Sequence, residues 1–224
     1  MLVAATYLHI RSNELLEPPA VYLLAAVCAQ ILIGVLRFGN VLYRNVKYKK
    51  PLSRASVRTI TFKRDSGRDI AVSDAVHVHV KLARPWHHRP GQYAYLSIPW
   101  VNCQSHPFYV SWWYRDKDND YIVFIIQKKN GFTKNLFSYA NNDLSQDSEM
   151  RALVEGPYGK ELNLESYGTV LLFATDIGIA GQLPYVAQLL ERYRNYEVKT
   201  RRIALFWELE SERKFSHTLL YVIF

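Results

Sequence analysis

The sequence predicts a membrane helix, then an antiparallel β-barrel, then an incomplete α/β unit. Three observations carry this. Ala20 to Leu36 (AVYLLAAVCAQILIGVL) is an apolar run broken only by Gln30, at the lower end of the roughly 17–25 residues a span needs. From Ser56 to about Ala152, short alternating strands recur between turn residues, the pattern of an antiparallel barrel. After Gly168 come an apolar strand, a loop, a helix and a second strand, the order of one βαβ unit. The expected boundaries are 1–10 for the end of a truncated membrane helix, 19–38 for a transmembrane helix and 39–55 for a basic linker. The barrel takes 56–152 and the α/β unit 153–224.

Pro18-Pro19 suits the start of the span, since proline is tolerated in a first turn. From Arg37 to Arg64 every charged residue is basic, within a chain of net charge +8. A nucleic-acid patch would also be basic. Here the block directly follows the apolar run, which assigns it to a lipid surface with no nucleic-acid partner and puts the C-terminal bulk in the cytosol. Two cysteines, Cys28 and Cys103, are too few for a disulfide framework. Met1 to Ile10 is largely apolar without a basic leader or cleavage site, as expected for the tail of a span that begins upstream. His9 closes that stretch; it is either an axial haem ligand or an interfacial histidine that meets water.

In the middle section, Val57 to Phe62 and Ala75 to Leu82 alternate, with His77 and His79 on one face of the second strand. A histidine pair at i and i+2 could bind a metal, but with no third ligand nearby the two read as a solvent face. Arg89 to Ile98 reads as a turn and a strand, and Tyr121 to Gln127 as a buried strand. The cluster Gln104 to Ser111 (QSHPFYVS) offers ring faces for stacking at Phe108 or Tyr109 and hydrogen-bond donors at His106 and Ser111, with Pro107 fixing the backbone between them. A barrel wall can carry the same residues. In KKNGFTKNLF (Lys128–Phe137), Gly131 permits a close approach and Thr133 is expected to cap a helix starting at Lys134, a seat for a diphosphate. A plain strand-to-helix turn would look similar.

Together these segments resemble the flavin-binding part of the ferric reductase and NADPH oxidase family, particularly the fungal metalloreductases. The order is RPGQYAYLSIP (Arg89–Pro99), HPFYVS (His106–Ser111), KKNGFTKNL (Lys128–Leu136) and VEGPYG (Val154–Gly159). ATDIGIAGQLPY (Ala174–Tyr185) resembles the nicotinamide-nucleotide loop, and RRIALFWELE (Arg201–Glu210) the strand after it. The resemblance implies a ferredoxin reductase-like FAD domain in the cytosol below a membrane, the plasma membrane in this family. FAD would be contacted by Gln92, Tyr93, His106, Pro107, Phe108, Tyr109, Val110 and Ser111. Gly131, Phe132 and Thr133 would seat its pyrophosphate, and Gly178, Ile179 and Ala180 would meet NADPH. It also implies haem held between membrane helices, with His9 as the ligand this chain would supply, and a metal ion or metal chelate as the electron acceptor.

Three departures qualify the expectation. Tyr109 stands where the family has Thr or Ser, so either Ser111 substitutes or the flavin sits differently. Asp176 stands where the nucleotide loop has glycine. A carboxylate facing a pyrophosphate costs about 1–4 kcal/mol at 4 Å. The chain is also expected to be truncated, with half a nucleotide domain and an apolar end, Phe215 to Phe224, that matches nothing in the family. The implied activity is ferric-chelate reduction by NADPH. The alternatives are an inactive membrane-tethered flavin-domain fragment and an NADPH oxidase that makes superoxide.

Overall fold

A computed structural model of the chain describes residues 18–47, 52–62, 71–141, 149–209 and 216–223. His9 lies outside the described residues. The chain divides into two compact units, Met1–Tyr43 and Arg44–Phe224.

The first unit contributes most of helix α1, Pro18–Asn45. Its stretch Val21–Asn45 is long and apolar enough to cross a membrane. Large apolar side chains all round it, Leu24, Ile31, Leu32, Val35 and Leu36 among them, are exposed, as a lipid-facing helix requires. The sequence placed the end of the span near Phe38, but α1 continues through Arg37 and Arg44 to Asn45. The segment Phe38 to Asn45 has no proline to stop it, and long basic side chains can reach polar surroundings from within a helix.

The second unit begins with a five-stranded antiparallel sheet in the order β5-β6-β2-β1-β7. Its strands are β1 (Arg54–Phe62), β2 (Ala71–Lys81), β5 (Trp112–Asp116), β6 (Asn119–Gln127) and β7 (Met150–Arg151). A second antiparallel sheet, β4-β3-β8, combines β3 (Tyr93–Ile98), β4 (Asn102–Tyr109) and β8 (Leu153–Tyr158). The sheet that carries HPFYVS therefore continues past residue 152. Strict alternation builds the core between these sheets. Val76, Val78 and Val80 are buried while His77, His79 and Lys81 are half-exposed. Ile122, Phe124 and Ile126 of β6 meet them, with Leu96 and Ile98 of β3. Each such side chain contributes about 1.5–3 kcal/mol by leaving water. Helix α2 (Phe132–Ala140) adds Phe132, Leu136, Phe137 and Ala140 to this core. Lys117 and Asp118, both at positive φ, close the β5–β6 hairpin as a two-residue turn whose handedness matches strand twist.

The last section is a three-stranded sheet, β11-β10-β9, with helix α3 (Ile179–Arg194) between β9 (Thr169–Thr175) and β10 (Arg202–Leu209). β9 and β10 are parallel, so β9-α3-β10 is the expected βαβ unit. Val170, Leu172 and Ala174 point to a core shared with Val186 and Leu189. On the opposite face Leu171 and Phe173 are exposed, and Phe173 stacks on Phe206 at 4.8 Å. The C-terminal stretch forms β11 (Ser216–Ile223), antiparallel to β10 along its whole length.

Candidate flavin site

The β3–β4 register pairs Ala94 with Phe108 and Leu96 with His106, and it pairs Tyr93 with Tyr109 and Tyr95 with Pro107. His106 and Phe108 therefore share one face of β4, and Pro107 and Tyr109 the other. On the first face Phe132 stacks on His106 at 4.8 Å and on Phe108 at 6.1 Å, with interplanar angles of 23° and 29°. The HPF strand and the GFT turn thus meet at one ring. Nε2 of His106 is buried and has no hydrogen-bond partner among the described residues, a condition that costs about 1–3 kcal/mol unless a ligand meets it.

Gly131 sits at φ +69 with nothing within 4 Å of where a Cβ would stand. It is the N-cap of α2, and no side chain caps the helix. The sequence assigned capping to Thr133 of a helix beginning at Lys134. Instead α2 begins at Phe132, and the Thr133 hydroxyl accepts from Lys129 N–H upstream at 2.8 Å. That bond shapes the turn before the helix, and among the described residues no side-chain cap closes the first turn. With no acid in that turn, the positive end of the helix is favourable to an anion, and the space beside Gly131 is open. The orphaned histidine nitrogen, the open space at Gly131 and the uncapped helix start suit the ring and diphosphate of a flavin nucleotide.

The second face of β4 belongs to tyrosines. Tyr93 meets Tyr95, Tyr109 and Tyr158 at centroid distances of 6.0, 6.5 and 5.7 Å. The Tyr158 hydroxyl donates to the buried Glu155 carboxylate at 2.6 Å. Gln92 shapes the turn before β3: its Oε1 accepts from Arg89 N–H at 2.9 Å, and its carbonyl accepts from Val110 N–H at 3.2 Å. Val110 is fully buried. Ser111 does not replace the missing Thr or Ser. It is fully buried, its hydroxyl donates to the Tyr109 carbonyl at 3.4 Å, and it accepts from Ile125 N–H at 3.3 Å.

Asp176 opens a 3₁₀ turn, Asp176–Gly178, at φ +42, and its carbonyl accepts from Trp207 Nε1 at 2.9 Å. Gly178 itself is right-handed at φ −58, so the left-handed position is occupied by the aspartate. Ile179 and Ala180 are buried in the first turn of α3, leaving their backbone for any ligand. The next residue, Gly181, faces the Tyr109 ring, whose carbons lie 3.6–3.8 Å from a Cβ built there. This contact brings the loop before α3 to the end of β4.

Two features of this junction were not foreseen. Tyr185 of α3 packs into the Gly91 turn, and burial raises its phenol pKa. Glu161 gathers Gln188 at 2.6 Å and Arg89 and Arg192 at 3.8 Å each, while Arg192 also pairs with Glu165. Arg89, Glu161, Glu165 and Arg192 line a cleft of about 330 Å³ with Gln92 and Lys160. The proline-glycine pair in RPGQY was the available sequence signal for a notch, but nothing in the sequence names its occupant.

Residues 63–162 match the profile of an FAD-binding domain family, and the fold is that of ferredoxin reductases. A ferredoxin reductase of carbazole 1,9a-dioxygenase superposes with a TM-score of 0.50 at 15% identity, over 74% of this chain and 45% of that one. The chain is similar to fungal ferric reductases. It is 34% identical over 119 residues to ferric/cupric reductase transmembrane component 2 of Saccharomyces cerevisiae, across 52% of this chain and 16% of that protein. It is 25% identical over 209 residues to ferric/cupric reductase transmembrane component 1 of Candida albicans, across 92% of this chain and 24% of that protein. The chain thus spans about a quarter or less of the curated relatives it matches.

Proposed function

We propose that the chain is the flavin-holding section of a membrane-bound metalloreductase, a protein that passes electrons from NADPH through FAD and haem to a metal ion or metal chelate across the membrane. The observation that carries this reading is the meeting of two loops at Phe132, with His106 and Phe108 stacked on it and the open start of α2 beside it. Bound FAD would supply the conversion of a hydride into single electrons. The chain's own part is to hold and orient. Phe108, backed by Phe132, offers a ring face, and His106 Nε2 offers a hydrogen bond. The open space at Gly131 and the α2 amides receive the diphosphate, while the loop before α3 meets the nicotinamide nucleotide. The likeness to fungal ferric reductases supports haem, with His9 as the ligand this chain would give, and a plasma-membrane location with the barrel in the cytosol. Purified in detergent and titrated with FAD, the chain is expected to take up close to one flavin and to perturb its absorbance bands. A preparation that stays colourless after FAD addition overturns the reading and leaves an inert tethered fragment.

A further inference from the structure

The residue after HPF is a tyrosine, and it sits where the two halves of the site close. Its ring lies over the Cβ-less backbone of Gly181 in the first turn of α3. Its edge meets Tyr93 at 6.5 Å with planes 76° apart. Behind it the backbone is pinned, because the buried Ser111 hydroxyl holds the Tyr109 carbonyl. Four residues along α3, on the same helix face, Tyr185 packs into the Gly91 turn. The helix therefore meets the barrel through two aromatic-on-glycine contacts of opposite sense, Tyr109 on Gly181 and Tyr185 on Gly91.

From this geometry we propose that Tyr109 is a plug in the seam between β4 and α3, and that a nicotinamide ring enters that seam only when the plug is displaced. The proposal rests on the flavin reading above. If β4 carries the flavin contacts and the loop before α3 carries the nicotinamide nucleotide, the two rings must meet past the end of β4, where Tyr109 leaves the face opposite Phe108. Tyr109 is the side chain that bridges those two segments, and it remains 56% exposed, so it has solvent into which to swing. A Thr or Ser at this position would leave the seam open. Tyr109 is thus a positioning residue: it fixes α3 against the barrel and controls access for the second ring.

The test uses the full chain in detergent and compares Tyr109→Ser with Tyr109→Phe. Hydrogen exchange without any cofactor reads the plug directly. Amides 179–183 are expected to exchange at least fivefold faster in the serine variant and to match the parent in the phenylalanine variant, which keeps the ring. After FAD loading, nicotinamide mononucleotide is titrated against the flavin spectrum; it carries the ring without the adenosine half. Its apparent affinity is expected to rise at least tenfold in the serine variant only. Unchanged exchange in Tyr109→Ser, or weaker mononucleotide binding there, overturns the plug. Failure of the parent and both variants to take up FAD overturns the flavin reading instead, and the exchange result still decides whether Tyr109 pins α3.

Discussion

Tyr185 on α3 and Gly91 in the turn before β3 fit as tongue and notch: a Cβ on Gly91 would run into the tyrosine hydroxyl and stand 3.3 Å from its ring carbon. Gly91 is also at φ +77, and a Cβ on Gly159 opposite would stand 2.7 Å from the Gly91 carbonyl. The chain crosses itself here with no room for side chains, so the barrel and the α/β unit are held in one register.

Gly91→Ala is therefore expected to cost about 2–4 kcal/mol, combining overpacking with the strain of a left-handed backbone. In a Tyr185→Phe background the oxygen is gone, and about 1 kcal/mol of that cost should return as a coupling term. Urea unfolding of the two single variants and the double variant measures it. Additive costs would show that the notch does not hold the tyrosine.

Asp176 occupies a left-handed position, φ +42, a backbone conformation that favours glycine. Asp176→Gly is expected to raise stability by about 1 kcal/mol, because the strain disappears while the carbonyl that accepts from Trp207 is kept. The same change removes a negative charge from the nucleotide loop and should strengthen dinucleotide binding. Thermal melting with and without NADPH checks both. A lower melting temperature would mean that the aspartate side chain contributes more than its backbone costs.

Asn45 imitates a neighbouring strand. Its side chain accepts from Val154 N–H at 2.9 Å and donates to Val154 O at 2.8 Å, and it is 1% exposed. Asn45→Ala leaves two buried backbone groups of β8 unpaired and is expected to cost about 2–4 kcal/mol. Hydrogen exchange at Val154 should rise with it; protection equal to the parent would show that another group takes over the pairing.

The sequence made the locally encoded parts legible. β2 could be read because Val76, Val78 and Val80 alternate with polar residues, and α1 because its apolar run is long. The HPF and GFT segments could be read as neighbours only through resemblance, since the Phe132–His106 stack joins residues on different elements. What could not be read depends on long-range packing or on backbone choice. Arg37 looked like the end of a span, yet helix geometry continues through it. Thr133 looked like a cap, yet Gly131 takes the cap position and the hydroxyl turns back to Lys129. Ser111 looked available to a ligand until β6 covered it. β11 had no alternation to announce it and is defined by its partner β10.

His88 supplies the pH dependence. Its ring packs against Trp113 at 4.7 Å, and neither nitrogen has a hydrogen-bond partner among the described residues. Burial lowers its pKa from 6.5 to about 4, so the folded protein keeps the imidazole neutral while the unfolded chain takes up a proton below about pH 6.5. Between those values the unfolded state binds more protons, and stability falls as the pH is lowered. From pH 7 to pH 4.5 the loss is about 2 kcal/mol from this residue. His77 and His79, whose pKa values burial also lowers, add to it in the same direction. His88→Phe keeps a ring on Trp113 and removes the titrating group, so urea midpoints at pH 7 and pH 4.5 should lie closer together in the variant than in the parent. Equal separation in the two proteins would show that His88 is protonated in the folded state and that its burial is not what makes the barrel acid-sensitive.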